Sequence, residues 1–255
     1  MTTAHPQAAL VTGAGRRIGR ALALALAEAG WTVAIHYNRS ETEANETVAQ
    51  IEAQGGRARA VRADLADETA TESLIARAAD AVGPLTLLVN NASIFDNDLW
   101  DTVTRESWNR HLQVNLRAPF VLIQEFARRR PPRVPANVVN LIDERVWNPT
   151  PFFVSYTVSK MGLWGLTQTL ALALAPEVRV NAIGPGPTLQ SVHQTPEQFR
   201  RQWAMMPLRR PIAVEEICRA LRFILDAPSM TGQMIALDGG QHLGWAQPGG
   251  APPEI

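Results

Sequence analysis

Short apolar runs alternate with longer helical runs along almost the whole of this chain. The apolar runs are "AALVT" (8–12), "TVAIHY" (32–37), "RARAVRAD" (57–64), "PLTLLVNNA" (84–92), "ANVVNLID" (136–143), "VRVNAIG" (178–184) and "GQMIALD" (232–238). Between them the spacing predicts helices over about 17–30, 41–54, a stretch reaching 82, two stretches within 104–130, then 152–175 and 214–227. A strand covered on both faces has no polar side to show, so it reads as a continuous apolar run. Parallel strands need long crossovers, which helices supply. The reading is an α/β fold: a single-domain, Rossmann-type doubly wound parallel sheet of about seven strands.

Residues 8–245 are expected to form that domain, after a flexible N-terminus (1–7) and before a Pro/Gly-rich, disordered tail (246–255). One long irregular segment, about 188–208, carries prolines and a short helical piece near 196–205. Long loops in compact domains are often lids over sites, so a lid is expected there.

Charge and cysteine content narrow the partners. Lys+Arg and Asp+Glu both number 24, which gives a formal net charge of zero. A nucleic-acid or anionic-membrane partner would favour a basic excess, so neither is expected. The cluster Arg128, Arg129, Arg130 and Arg133 reads as a helix end and a solvated loop. Cys218 is the single cysteine, in a helical stretch, where a buried apolar role is expected. A chain with no possible internal disulfide fits a reducing cytoplasm. The five histidines (His5, His36, His111, His193, His242) have no metal-ligand spacing, and no metal is expected. No basic-then-apolar leader and no apolar stretch long enough to span a bilayer is visible.

The first strand runs into "TGAGRRIG" (12–19), and a helix starts inside that loop. A glycine turn at a helix N-terminus lets backbone N–H groups approach a phosphate, whose charge the helix dipole favours. Gly13 permits the tight turn and Gly19 permits close helix–strand contact. Further along, Tyr156 and Lys160 lie four apart in a predicted helix and share one face. A phenol with a pKa of about 10 exchanges protons poorly near neutrality. A nearby ammonium is expected to lower that value and make Tyr156 a general acid.

These motifs, in this order, resemble the short-chain dehydrogenase/reductase family over about residues 8–242. The resemblance implies a nicotinamide cofactor held by the glycine loop, including Ile18. The end of the second strand reads "HYNRS": His36, Tyr37, Asn38, Arg39 and Ser40. An acid that would bond a ribose 2′-hydroxyl is absent there. A cation and a hydroxyl suit a 2′-phosphate instead, so NADP(H) is the expected cofactor. By resemblance, Asp64 contacts the adenine amino group, with Leu65 beside it. "NNAS", with Asn91, Ala92 and Ser93, borders the cofactor. "PGPT", with Pro185, Gly186 and Thr188, closes over the nicotinamide. Lys160 bonds the nicotinamide ribose, and Asn115 holds a water that links the lysine to solvent.

Four positions depart from the family's usual pattern. Arg17 stands where the loop usually has a glycine, "HYNRS" follows the second strand, and Ser93 replaces a glycine. Asp143 stands where a serine usually precedes the tyrosine by thirteen residues. An ionised carboxylate there would repel the charge developing on a carbonyl oxygen, and would raise the pKa of Tyr156. Together the departures resemble the pteridine reductases of the family, including the bacterial dihydromonapterin reductase type. That resemblance implies reduction of a C=N bond in a dihydropterin stacked between Phe95 and nicotinamide. Arg17, Ser93, Asp143 and Tyr156 would be its further contacts. Asp143 would either accept a substrate N–H or pass a proton towards a ring nitrogen. The resemblance also implies a homotetramer. Two other readings stay open: a reductase of a carbonyl or another small substrate, and a non-catalytic NADP-binding sensor.

Overall fold

A computed structural model describes residues 7–191 and 194–244 of the chain. The expectations for residues 1–6 and for the 246–255 tail lie outside the described residues, as do His5 and His193. The elements follow in the expected order. They run β1 (Ala8–Val11), α1 (Arg17–Glu28), β2 (Thr32–Tyr37), α2 (Glu41–Ala53), β3 (Arg57–Arg62) and α3 (Glu68–Val82). Then come β4 (Leu87–Asn90), α4 (Arg105–Leu112), α5 (Ala118–Arg129), β5 (Ala136–Leu141), α6 (Val154–Ala173) and β6 (Val178–Pro185). The chain closes with α7 (Pro196–Ala204), α8 (Val214–Asp226) and β7 (Met234–Leu237).

The seven strands form one sheet in the order β3-β2-β1-β4-β5-β6-β7. All pairs are parallel. Alternation along a strand splits the core in two. Ala9 and Val11 of β1 pack with α1 and α8 on one face, while Ala8 and Leu10 pack with α3 and α5 on the other. Helix α1 shows the helical counterpart of that pattern. Its buried residues Gly19, Leu22, Ala23, Leu26 and Ala27 recur at three- and four-residue steps and form one stripe. Each fully buried leucine there contributes roughly 1.5–3 kcal/mol of burial.

The strand order reverses direction between β1 and β4. In open α/β sheets the crevice beyond the strand C-termini at such a point is where ligands bind. The loops after β1, β4, β5 and β6 all open there. Inner polar side chains hold α6 in register over this crevice. Asn90 donates to Asn140 Oδ1 at 2.9 Å, and Asn140 donates to Thr167 Oγ1 at 2.9 Å.

Three local readings change. The fifth strand was expected to reach residue 143, but pairing stops at Leu141. Asp143 instead caps a short 3-10 turn (Glu144–Val146), accepting the Arg145 N–H at 3.0 Å. The two helical stretches of 104–130 are joined without a break by a π-helical turn (Gln113–Arg117) that carries Asn115. Finally, α6 begins behind Phe153, whose φ of 57° is left-handed. Elsewhere, Arg128 and Arg129 pair with Glu125 at the end of α5, as a solvated helix terminus would. Cys218 is buried in α8, and burial raises its thiol pKa. Among the described residues no helix is long and apolar enough to cross a membrane, and no group of metal-ligating side chains gathers.

Candidate active site

The glycine loop is packed so closely that only glycine fits at two points. A Cβ on Gly19 would lie 2.2 Å from the Gly13 carbonyl oxygen and 2.5 Å from Asn91 Nδ2. Gly13 itself has a φ of 63°, and a Cβ there would meet Ala92 Cα at 3.0 Å. From below, His36 braces the loop: its Nδ1 accepts the Gly13 N–H at 3.0 Å and its Nε2 lies 3.2 Å from the Ala63 carbonyl. Burial lowers the His36 pKa from 6.5 to about 4, so the ring is neutral. With Nδ1 accepting, the ring proton sits on Nε2 and bonds Ala63. From the side, Asn91 donates to the Thr12 and Gly13 carbonyls at 2.8 and 3.3 Å. The Thr12 hydroxyl takes both the Asn91 and Ala92 N–H groups at 2.9 Å. His36 and Asn91 were expected as cofactor contacts; their side chains are committed to holding the loop.

Beyond β2, Tyr37 is buried and its hydroxyl donates to Glu41 at 3.2 Å. Asn38 and Ser40 are half-buried, and Ser40 Oγ lies where a Gly15 Cβ would meet it at 3.2 Å. Arg39 is exposed beside the loop. Asp64 is exposed and accepts the Ala66 N–H at 2.9 Å, while Leu65 is buried. These residues form the far end of the crevice.

The near end is a cleft of about 500 Å³. Arg17 and Ile18 line one wall, Ser93 and Phe95 the next, and Asp143, Tyr156 and Lys160 the floor. Pro185, Gly186 and Thr188 close the fourth side. A Cβ on Gly186 would lie 2.8 Å from Asp238 Cα, so this segment also approaches its neighbour at backbone distance. Tyr156 donates its hydroxyl proton to Asp143 Oδ2 at 2.8 Å. Lys160 Nζ donates to the Leu141 carbonyl at 2.9 Å and stands 5.6 Å from the Tyr156 ring centre.

A family model described as short chain dehydrogenase matches residues 7–200. The chain belongs to the short-chain dehydrogenase family. Among curated relatives, it is 34% identical to a 3-oxoacyl-[acyl-carrier-protein] reductase of Synechocystis over 95% of this chain and all of that one. Among solved structures, it is 47% identical to FolM alternative dihydrofolate reductase 1 from Brucella canis, complexed with NADP. The TM-score is 0.92, with 96% of this chain and 97% of that one covered. The Brucella suis protein of the same name, also in complex with NADP, is 48% identical, with a TM-score of 0.91. That match covers 94% of this chain and 96% of that one.

Within this short-chain dehydrogenase, several expected site residues are engaged differently from the expectation. Tyr156 was expected to be acidified by the lysine. Instead its pKa is raised well above 10.0, by burial first and then by the charge and hydrogen bond of Asp143. The lysine is itself weakened: burial lowers it from 10.5 to about 8. The carboxylate, bonded directly to the phenol, outweighs an ammonium that bonds elsewhere. Arg17 reaches the 188–208 segment, donating to the Gln190 and Leu189 carbonyls at 2.8 and 3.1 Å. Ser93 donates to Asn115 Oδ1 at 3.2 Å. Asn115 spends its amide on Ser159 Oγ at 3.1 Å and the Ile94 backbone at 2.9 and 3.0 Å.

Phe95 does line the cleft, but one of its faces is taken. It stacks on Phe153 with ring centres 4.2 Å apart and planes 7° apart, and it meets Tyr156 edge-on at 4.7 Å. Phe153 and Arg145 are site residues that sequence reasoning missed. Arg145 is buried, with its guanidinium carbon 5.2 Å from the Phe153 ring centre and its Nε 3.8 Å from Asp143. No spacing rule points to either. Phe153 is found only through its left-handed backbone, and Arg145 only through the turn that Asp143 caps.

Proposed function

We propose that this chain catalyses the NADPH-dependent reduction of a C=N bond in a dihydropterin. The observation that carries the reading is the 2.8 Å bond from the Tyr156 hydroxyl to Asp143. A carbonyl reductase needs that proton aimed at a substrate oxygen, with no negative charge beside the developing oxyanion. Here the phenol's proton points at a carboxylate, which suits a substrate rich in N–H groups. The FolM structures, named alternative dihydrofolate reductases, support the same chemistry at 47 and 48% identity.

NADP(H) is the cofactor. The glycine loop opens helix α1, whose first N–H groups suit a phosphate, and exposed Arg39 with Ser40 fits a 2′-phosphate. Asn38, Tyr37, Asp64 and Leu65 flank the adenosine end, and Asn91, Ala92, Pro185, Gly186 and Thr188 the nicotinamide end. Bound there, NADPH supplies a hydride to the carbon of the C=N bond. The nitrogen takes its proton through the Tyr156–Asp143 pair, which solvent recharges. Lys160, fixed by Leu141, would hold the ribose, and Asn115 holds the Ser93 hydroxyl and the Ile94 backbone. Phe95, backed by Phe153, offers its remaining face to the heterocycle, and Arg17 and Ser93 its edges. The 188–208 segment serves as a lid. We also read the protein as a cytoplasmic homotetramer, for which the lone buried Cys218 and the exposed apolar Leu172 and Phe223 speak.

A second reading, reduction of a carbonyl, draws on the Synechocystis 3-oxoacyl reductase. One assay separates the two. NADPH oxidation is followed with 7,8-dihydromonapterin, 7,8-dihydrobiopterin, dihydrofolate and a panel of ketones, using the native chain, Asp143→Ser and Asp143→Asn. The expected result is dihydropterin turnover that drops about 100-fold in both variants, the scale of general acid–base contributions. Ketone turnover by the native chain without pterin turnover, or full pterin activity in both variants, would overturn the proposal.

A further inference from the structure

Helix α6 carries Tyr156 and Lys160, yet it has no cap of its own. Its N-cap residue Phe153 makes no side-chain capping bond. The first N–H groups of a helix must find partners, and here a residue 57 positions away supplies them. Asp98 Oδ1 accepts the Ser155 N–H at 3.0 Å, and the Asp98 backbone carbonyl accepts the Val154 N–H at 3.2 Å. Its Oδ2 accepts the Ser155 hydroxyl, and also the Ser107 hydroxyl at 3.2 Å.

His111 extends this network. Its Nδ1 lies 2.7 Å from Ser155 Oγ, and its Nε2 accepts the Asp96 N–H at 3.2 Å. That leaves the ring proton on Nδ1, between Ser155 Oγ and the Ser107 carbonyl at 3.0 Å. The His111 ring meets the Tyr156 ring edge-on at 6.2 Å. Asp98, His111 and Ser155 are all buried. A buried carboxylate persists only where hydrogen bonds replace its water, and a satisfied network of this kind fixes one geometry. The same loop carries Phe95 at one end of the network and seats the Tyr156 helix at the other.

We propose that Asp98, through Ser155 and His111, is a positioning residue that sets Tyr156 and Phe95 relative to each other. It touches neither substrate nor cofactor. Its effect passes through the first turn of α6 and through the 94–98 loop. The proposal rests on Tyr156 as the proton-bearing group, argued above, and its test includes a readout that needs no substrate.

The chain has two tyrosines, Tyr37 and Tyr156. In a Tyr37→Phe background, tyrosinate absorbance reports Tyr156 alone. The groups acting on that phenol are Asp143, Arg145 and Glu144, with burial foremost. In the parent the phenol is expected to stay protonated well beyond the ordinary tyrosine range. In Asp98→Ala the first turn loosens, water reaches the ring, and the titration moves down towards that range. Alongside, kcat for dihydropterin reduction is expected to fall about tenfold to a hundredfold, the cost of a small misplacement. KM for NADPH is expected to stay within about twofold, because the glycine loop is untouched. Asp98→Asn keeps an oxygen for the Ser155 N–H and is expected to recover most of the loss.

An unmoved titration with unchanged kcat in folded Asp98→Ala overturns the proposal. So does a loss of kcat matched by an equal rise in KM for NADPH. Should Asp98→Ala not accumulate as folded protein, Ser155→Ala takes its place: a lowered titration supports the proposal and an unmoved one overturns it. If the native chain reduces no dihydropterin, the reading of the substrate fails while the titration still decides the role of Asp98.

Discussion

On the glycine-loop wall of the cleft, position is set at the backbone, by close glycine packing and by side chains that bond its N–H and C=O groups. Gly19 sits against the Gly13 carbonyl with no room for a methyl group, and Thr12, His36 and Asn91 hold the loop by its N–H and C=O groups. On the opposite wall, position is set by side chain against side chain. Asp143 holds Tyr156, Phe153 backs Phe95, and Asp98 seats the helix that carries the tyrosine. A wall of the first kind suits a ligand that does not vary, since its side chains are spent on bracing the backbone. A wall of the second kind can be rebuilt for a new substrate by a few substitutions while the fold stands, because function lives in sites placed on folds.

The contrast breaks most sharply at Gly19. An alanine there must push apart a carbonyl oxygen 2.2 Å away and the Asn91 amide at 2.5 Å, and neither is the free end of a flexible chain. Gly19→Ala is expected to cost about 3 kcal/mol of stability, at the upper end of overpacking. NADPH affinity is expected to fall about 100-fold with it, since the loop moves as one piece. Thermal unfolding and fluorescence titration of NADPH check both. On the opposite wall, Phe153→Leu is expected to leave NADPH affinity within about twofold. Equal losses of NADPH affinity from both variants would erase the distinction.

A second test uses pH. His36 is buried and neutral, with its pKa held near 4 against an ordinary 6.5. Between those values the unfolded chain binds a proton that the folded chain refuses. Stability therefore rises with pH through this window, and it is lost as pH falls from about 6.5 towards 4. The shift corresponds to about 3 kcal/mol. Protonating Nδ1 would also remove the acceptor of the Gly13 N–H, so the loss falls on the glycine-loop wall. His36→Gln can still accept from Gly13 and donate to Ala63 without titrating. The difference between parent and variant in urea midpoint, measured from pH 7 to pH 4, is expected to show this slope. Parallel curves would remove His36 from the account.

The same contrast explains which parts were legible in the sequence. The sheet was readable because β1 and β4 are buried on both faces and have no polar residue to spare until they end. The glycine loop was readable because a glycine required by contact has no substitute. The Tyr156–Lys160 pair followed from helical spacing. Their electrostatics did not, because spacing along a helix says nothing of what faces it: Asp143 reaches the phenol and the lysine turns to Leu141. The direction of Asp143's effect on Tyr156 was foreseeable from its charge alone. Asp98 and His111 carried no signal at all. Each is an ordinary polar residue in its own stretch, and only the folded chain brings them to Ser155. The end of β5 was misread for a related reason, since "LID" continues the apolar run while Asp143 turns the chain by bonding its own backbone.

The smallest expected effect is the one that sharpens the comparison most. Arg39 is a side chain on the wall that backbone otherwise defines. It is exposed, and among the described residues it makes no ion pair or hydrogen bond that the fold would miss. Its removal should leave stability within about 0.5 kcal/mol, as for a surface substitution. If it bonds the 2′-phosphate, Arg39→Ala loses a charge-assisted contact open to water. That corresponds to about a tenfold fall in the preference for NADPH over NADH, near 1.4 kcal/mol. NADH affinity is expected to stay level while NADPH affinity falls, because only one of the two carries the phosphate. A fall in both would mean that Arg39 shapes the loop, and would add it to His36, Asn91 and Thr12 among the side chains that brace that wall.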